Sequence, residues 1–279
     1  MKAVIVNADD FGESKGINAG IVRAHREGIV TSASILATGA AFEDACTCAS
    51  QNPALGIGMH LAWVDGRPIL PASAIRSLTD AGERFWPSWS VFFSRAVMGK
   101  INLDELEREG SAQIERALAA GLRPDHINSH EHIHMWKPAF DRVVRLARRF
   151  GIPAVRVTSE SSVDIAGDLV RPAGVLRRAA LNAAGRMAAA SDGVWRSSAC
   201  IGLADSRRLT APRLIRLLRS VPRGISEFMC HPGDGEGADR FRSAELRALI
   251  SSGAREALER AGADRITFAE AVARTRLSV

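Results

Sequence analysis

Ala3-Val4-Ile5-Val6-Asn7-Ala8, then Ile17 to Glu27, then Thr31-Ser32-Ala33-Ser34-Ile35-Leu36 open the chain as an apolar run, a stretch of helical composition and a second apolar run. Strand-like runs recur at Leu55 to Leu61, His126 to His130, Ala154 to Val157, Cys200 to Leu203, Ser226 to Cys230 and Arg265 to Phe268. Helical composition fills the intervals at Ala41 to Gln51, Leu103 to Ala120, Pro138 to Phe150, Val175 to Ala190, Ala211 to Arg219 and Ala244 to Arg260. Alternation of this kind implies parallel strands joined by right-handed crossovers. Some eight strands in 279 residues predict an α/β chain folded as a single-domain TIM-like (β/α) barrel over 1–279, since such a barrel occupies about 250 residues. A barrel that is distorted or short of one strand leaves nearly the same pattern.

The composition narrows the classes of function. At 46% hydrophobic the chain can bury a sizeable core, and no run of about 20 apolar residues is present to span a bilayer. Met1 to Asp9 lack a signal-peptide layout, because the short apolar stretch ends in acids, so a cytoplasmic location is expected. Cys46, Cys48, Cys200 and Cys230 form no C-x-x-C pair and read as free thiols. The net charge of +6 is spread along the chain, and with 5% aromatics and no Tyr there is little for base stacking, so nucleic acid is not the expected partner. From Trp63 to Asn102 the chain is too long for a crossover. It carries Gly66, Pro68, Pro71, Pro87, Trp63, Trp86, Trp89 and Phe92-Phe93, and is expected to form a partly ordered insertion over one barrel mouth.

Residues 125–136 read Asp-His-Ile-Asn-Ser-His-Glu-His-Ile-His-Met-Trp, a density of imidazole that points to a metal site. In a parallel α/β fold the strand C-termini gather at one face, where ligands bind. Asp9 and Asp10 close the first strand, His60 the third, His130 to His134 the fourth, and His231 follows Cys230 at the end of the seventh. One carboxylate with two imidazoles leaves positions open for water and substrate, as metal-assisted hydrolysis requires. A second carboxylate can accept the proton of the attacking water, and His231 can protonate a leaving group. In His231-Pro232-Gly233-Asp234-Gly235 that histidine also reads as the stabiliser of a Gly-rich turn. Along an extended segment His126, Asn128, His130, His132 and His134 share one side, so periodicity alone offers four histidines. A strand ending near His130 places that residue at the rim and buries His126, leaving His132 and His134 as substrate contacts or supports behind the ligands.

At these residues the chain resembles the YdjC-like carbohydrate deacetylases. The resemblance rests on Val6 to Gly12, Gly28 to Ser34, Gly56 to Leu61, Asp125 to His134 and Glu227 to Gly233, in order along almost the whole chain. It implies a distorted (β/α) barrel and hydrolysis of an N-acetyl group on an amino sugar. It further implies Asp10, His60 and His130 as metal ligands, Asp9 as general base, His231 as the histidine of a late catalytic motif, and Arg156 as a basic strand-end residue that forms a salt bridge or binds substrate. One divalent ion per chain is expected, Mg²⁺ through the family and Zn²⁺ equally suited to the donors.

Gly66 to Pro71 and Gly202 to Ala204 look most like the hopanoid-biosynthesis-associated branch, whose substrate would be an N-acetylglucosaminyl hopanoid lipid; chitooligosaccharide deacetylases are the close competitor. Asp234-Gly235-Glu236-Gly237 departs from the usual continuation of the His-Pro-Gly motif. A lipid-linked substrate would suit the aromatic residues of 63–93 and an Arg171, Arg177, Arg178, Arg186 helix, which together would meet the inner face of a membrane; ordinary packing is the alternative. A homodimer is left open. The rivals from other classes are a barrel phosphoesterase, which would need a second metal, and a metal-dependent sugar- or lipid-binding protein without turnover.

Overall fold

The computed structural model describes residues 2–158, 179–186, 193–203 and 209–277; the expectations at Arg171, Arg177, Arg178 and Ala204 fall outside these residues. Seven parallel strands make the frame: β1 (Lys2–Phe11), β2 (Ser32–Ile35), β3 (Gly56–Leu61), β4 (His126–Ser129), β5 (Ala154–Val155), β6 (Ala199–Ile201) and β7 (Gly224–Cys230). They lie in the order β5-β4-β3-β2-β1-β7-β6. The two edges approach at a seam where Ala154 bridges to Trp195, with Val155 N–H donating to the Trp195 carbonyl at 3.0 Å. The result is a distorted barrel joined at one point between β5 and the segment leading into β6.

The eighth strand does not complete the ring. Asp264 and Arg265 form a two-residue strand, β8, that pairs with Ala3 and Val4 of β1. The expected continuation to Phe268 is cut short because Thr267 and Glu270 form a capping box that starts a helix at Phe268. The expected helix from Ala244 to Arg260 likewise divides. Ser251 accepts from Ala254 N–H and starts a new helix, so Arg240–Leu249 and Ser252–Ala261 are separate.

The helices packed around this frame are α1 (Lys15–Arg26), α2 (Phe42–Ser50), α3 (Trp89–Val97), α4 (Leu103–Ala119), α5 (Lys137–Phe150), α6 (Ala211–Arg219), α7 (Arg240–Leu249), α8 (Ser252–Ala261) and α9 (Phe268–Arg276). Among the described residues no helix is long and apolar enough to cross a membrane. Side chains alternate across a strand, so one face of β1 carries Val4, Val6 and Ala8 into the main core under the helices. The other face reads Ala3, Ile5, Asn7, Asp9. Ala3 and Ile5 join Ile225, Ile266 and Phe268 in an apolar floor, and above it the interior turns polar with the fully buried Asn7, Ser34, Asn128, Arg156 and Glu227. The site is built on that polar layer.

The insertion after β3 is ordered mostly by its own aromatics. Trp63, Phe85 and Phe92 are buried, Trp63 Nε1 donates to the Leu106 carbonyl at 3.0 Å, and the Arg95 guanidinium covers the Trp86 ring at 3.9 Å. Packing therefore absorbs most of the aromatic content that could have met a membrane. Trp89, Val97 and Met98 remain exposed on and just after α3.

Candidate active site

A regular strand would send Asp9 and Asp10 to opposite faces. Here the pairing of β1 with β2 slips between Ala8 and Phe11, and Asp10 adopts a φ of 70°. This bulge in the left-handed region brings both carboxylates to one pocket, at a strain that non-glycine residues seldom accept. After β4 the chain does the same: Glu131 (φ 51°) and His132 (φ 57°) break the extended row. The strand thus ends at Ser129, one residue earlier than expected, and His130 opens a short 3₁₀ turn that swings its imidazole toward Asp10. His126 lies deep and His130 at the rim, in the expected order.

Asp10 Oδ1 is the meeting point. His60 Nε2 lies 3.3 Å from it and His130 Nδ1 3.2 Å. The donor atoms of Asp10, His60 and His130 all fall within 4.8 Å of one another, a spacing that can hold one metal ion. The residues fit such an ion for a second reason. His60 Nδ1 is engaged by Asn128 Oδ1 at 2.6 Å, so Nε2 turns toward the carboxylate oxygen, an approach of two lone pairs unless a cation or proton lies between them. Asp10 Oδ2 is taken by Arg242 Nη2 at 2.6 Å, which leaves Oδ1 for the imidazoles. Burial alone would raise the Asp10 pKa, but the hydrogen bonds of His130 and His60 and the charge of Arg242 hold it well below the usual carboxylate range. Burial opposes charge on His130 too, yet Asp10, Glu131 and Glu13 lift it to about 9. The pocket strongly favours positive charge at this vertex.

Asp9 stands beside it in a different environment. Its Oδ1 accepts from Asn7 Nδ2 at 2.9 Å, Asn128 Nδ2 at 3.0 Å and Arg156 Nη2 at 2.8 Å, and its Oδ2 accepts from Arg156 Nη1 at 2.6 Å. Burial would raise its pKa, but Arg156 and the neighbouring histidines hold it far below the ordinary value. Arg156 is itself fully buried and also donates from Nε to Glu227 Oε1 at 2.7 Å. Of the two roles expected for Arg156, the geometry supports the salt bridge; the side chain does not line the pocket.

His231 directly follows β7, its backbone N–H donating to Glu245 Oε2 at 2.6 Å. The loop that follows packs directly on α1, where a Cβ on Gly20 would stand 2.4 Å from the Gly233 Cα, so only glycine permits the approach. His231 Nδ1 is buried without a hydrogen bond. Burial pulls its pKa down to about 4 against the pull of Asp10 and Asp9, so the ring is neutral near pH 7. Asp9, Asp10, His60, His130, Glu131, His132, His231 and Arg242 together line a pocket of about 410 Å³. His134 is excluded from it. Fully buried, it engages Ser129 Oγ from Nδ1 at 2.7 Å and the Arg156 carbonyl from Nε2 at 3.2 Å, and burial keeps it neutral, with a pKa of about 3.

The sequence profile of the YdjC-like protein family matches residues 3–260. This chain belongs to that family. It is 34% identical over 271 residues to the chitooligosaccharide deacetylase of Klebsiella pneumoniae (strain 342), covering 95% of each chain. It is 43% identical over 150 residues to the carbohydrate deacetylase of Brevibacillus brevis, a match spanning 54% of this chain and 57% of that relative, little more than half its length. A crystal structure from Enterococcus faecalis V583, provisionally assigned as a cellobiose-phosphate cleavage protein, superposes with a TM-score of 0.78 at 29% identity over 96% of this chain and 98% of its own.

Three residues in or behind the pocket of this YdjC-like chain were not singled out from the sequence. Arg242 is one arginine among many, and only the fold brings it from α7 to Asp10 and Glu13. Glu227 follows Ser226 in an otherwise apolar strand, and its partner Arg156 is 71 positions away. Asn128 does lie on the same side of the His-rich segment as His126 and His130, which is the one clue that it faces the site.

Proposed function

We propose that this chain is a metal-dependent hydrolase that removes the N-acetyl group from an N-acetylated amino sugar. The observation that carries the reading is the convergence of Asp10, His60 and His130 on one vertex, in the pocket that also holds Asp9 and His231. A divalent ion bound there would polarise the acetamide carbonyl and acidify the attacking water. Asp9 Oδ2, which accepts only from Arg156, has a lone pair left to take the water proton. Arg156 makes Asp9 a weak base in the resting site, so the proton is held there only briefly. His231, neutral at rest, takes over that proton from Asp9 within the shared pocket and delivers it to the departing amine nitrogen. Arg242 keeps Asp10 Oδ2 occupied, so that only Oδ1 points at the vertex.

The deacetylase relatives favour a sugar substrate, and the donor set suits either Mg²⁺ or Zn²⁺. A phosphoesterase fits less well, since among the described residues only one metal-holding cluster forms. A non-catalytic sugar- or lipid-binding role leaves Asp9 and His231 without purpose. A lipid-linked form of the substrate, such as an N-acetylglucosaminyl hopanoid, has one specific observation in its favour. Trp89, at the start of α3, is 54% exposed, and its N–H donates at 2.6 Å to Oε2 of the pocket residue Glu131, so an apolar surface adjoins the site. His132, which lines the pocket, is then a substrate contact. Acetate release measured on N-acetylglucosamine, chitobiose and an N-acetylglucosaminyl lipid distinguishes these substrates. Activity confined to the free sugars removes the lipid form, and no acetate from any of them removes the deacetylase reading.

A further inference from the structure

Beneath the pocket a chain of buried hydrogen bonds runs down the barrel to the opposite rim. Asn7 Nδ2 and Asn128 Nδ2 each donate to Ser34 Oγ at 2.8 Å as well as to Asp9 Oδ1. Ser34 Oγ lies 2.9 Å from His126 Nε2, and His126 Nδ1 lies 2.6 Å from Asp125 Oδ1. Asn7, Ser34, His126 and Asn128 are all fully enclosed.

Donors and acceptors in this chain admit one arrangement of protons. Asp9 accepts from both Arg156 Nη atoms and from Asn7, so the NH₂ of Asn128 faces it and the Asn128 oxygen faces His60. His60 therefore carries its proton on Nδ1 and presents the Nε2 lone pair to the vertex. Both lone pairs of Ser34 Oγ are filled by the two amides, so its own proton goes to His126 Nε2. His126 then carries its remaining proton on Nδ1 and gives it to Asp125. Asn7 spends both amide hydrogens on this network and leaves its Oδ1 without a partner, a local cost accepted where two donors are needed.

The residue types are those of a hydrolytic Ser–His–Asp triad, but Ser34 is enclosed and its oxygen accepts two amide bonds, so it has neither access nor a free lone pair for attack. The His126 ring is clamped. It stacks on Phe268 with centroids 3.8 Å apart, and a Cβ on Gly58 would lie 2.3 Å from it.

We propose that Ser34, His126 and Asp125 are positioning residues of the metal site: together with Asp9 they hold the amide of Asn128 in one orientation and so fix the tautomer of His60. This rests on the metal-site reading above. Supports of this kind behind a metal ligand typically change affinity by about 10–100-fold.

The test uses the full chain, labelled with ¹⁵N-histidine and loaded with Zn²⁺, in wild type, Ser34→Ala, Asp125→Ala and Asp125→Asn. The readouts are the His60 tautomer from long-range ¹H–¹⁵N correlations and the Zn²⁺ dissociation constant. Wild type is expected to show His60 protonated on Nδ1. Ser34→Ala and Asp125→Ala are expected to weaken Zn²⁺ roughly tenfold or more and to broaden or mix the His60 signals, while Asp125→Asn, which still offers an oxygen to His126 Nδ1, restores both. Asp125 is half-buried at the rim, so its two variants carry the test should Ser34→Ala fail to fold. An Nε2-protonated His60 in wild type overturns the proposal, as does unchanged tautomer and affinity in folded Asp125→Ala. Wild type that binds Zn²⁺ through Nδ1-protonated His60 but releases no acetate overturns deacetylation and leaves the positioning role standing.

Discussion

Replacing Arg156 with Met keeps most of the side-chain volume and removes the charge that two enclosed carboxylates share. Arg156 contacts Asp9 at 2.6 and 2.8 Å and Glu227 at 2.6 and 2.7 Å, with all three residues 0–1% exposed. Removing one partner of a buried ion pair destabilises by about 3–5 kcal/mol, because the charge left behind has no water to return to. Asp9 retains its amide donors Asn7 and Asn128, so most of the loss falls on Glu227, whose Oε2 already lacks a partner. The penalty is also dependent on pH. In wild type the folded-state pKa of Asp9 is depressed, so its stabilisation is present above the unfolded value of about 3.9 and is lost only as pH falls through the lower folded value. In Arg156→Met the burial of Asp9 loses its strongest opposing charge, so the folded-state pKa of Asp9 rises and the stabilisation it gave wild type above the unfolded value is reduced. The difference between variant and wild type should therefore be larger at pH 7 than at pH 4.5. Urea denaturation at both pH values, read at constant m, measures it. A loss under about 1 kcal/mol at pH 7, or an equal loss at both pH values, would refute the reasoning.

Asp10→Ala and His60→Ala should each reduce bound divalent metal from one ion per chain to none after dialysis, measured by elemental analysis; full retention contradicts the ligand set. Asp9→Asn should leave metal content unchanged and lower kcat by about 10²–10⁴-fold in steady-state kinetics, the range for losing a general base. Glu131→Ala removes the acceptor that holds Trp89 N–H at the head of α3. Amide exchange should then speed up at Trp89 with metal content unaltered.

The barrel was legible because its strands repeat a local signal, an apolar run such as Ala3 to Ala8 followed by a stretch of helical composition; which face of that run meets the core appears only in the fold. Strand number was less so: Arg265 to Phe268 reads as a strand by composition, but the local cap between Thr267 and Glu270 prevails over β propensity there. That Asp9, Asp10, His60, His130 and His231 would share one pocket could be read from their places at strand ends. What the sequence could not convey was how neighbours share the work. The bulge that turns Asp9 and Asp10 to one side depends on the pairing of β1 with β2, and periodicity assumed an extended row through His134 where the backbone turns at Glu131. Arg156 was visible as a basic residue, but its commitment to Asp9 and Glu227 is a contact between distant strands, which no local pattern encodes. The aromatics of the insertion likewise gave composition without orientation, and most of them proved to be packing.

Under the proposed function this pocket releases acetate from an N-acetylated sugar with one metal ion bound. Acetate production by the purified chain, assayed on N-acetylglucosamine, chitobiose and an N-acetylglucosaminyl lipid before chelation, after chelation and after stoichiometric return of Mg²⁺ or Zn²⁺, tests it most directly. Release should disappear on chelation and return at one ion per chain. Release indifferent to chelation, or none from the reloaded protein on any of the three substrates, would contradict it.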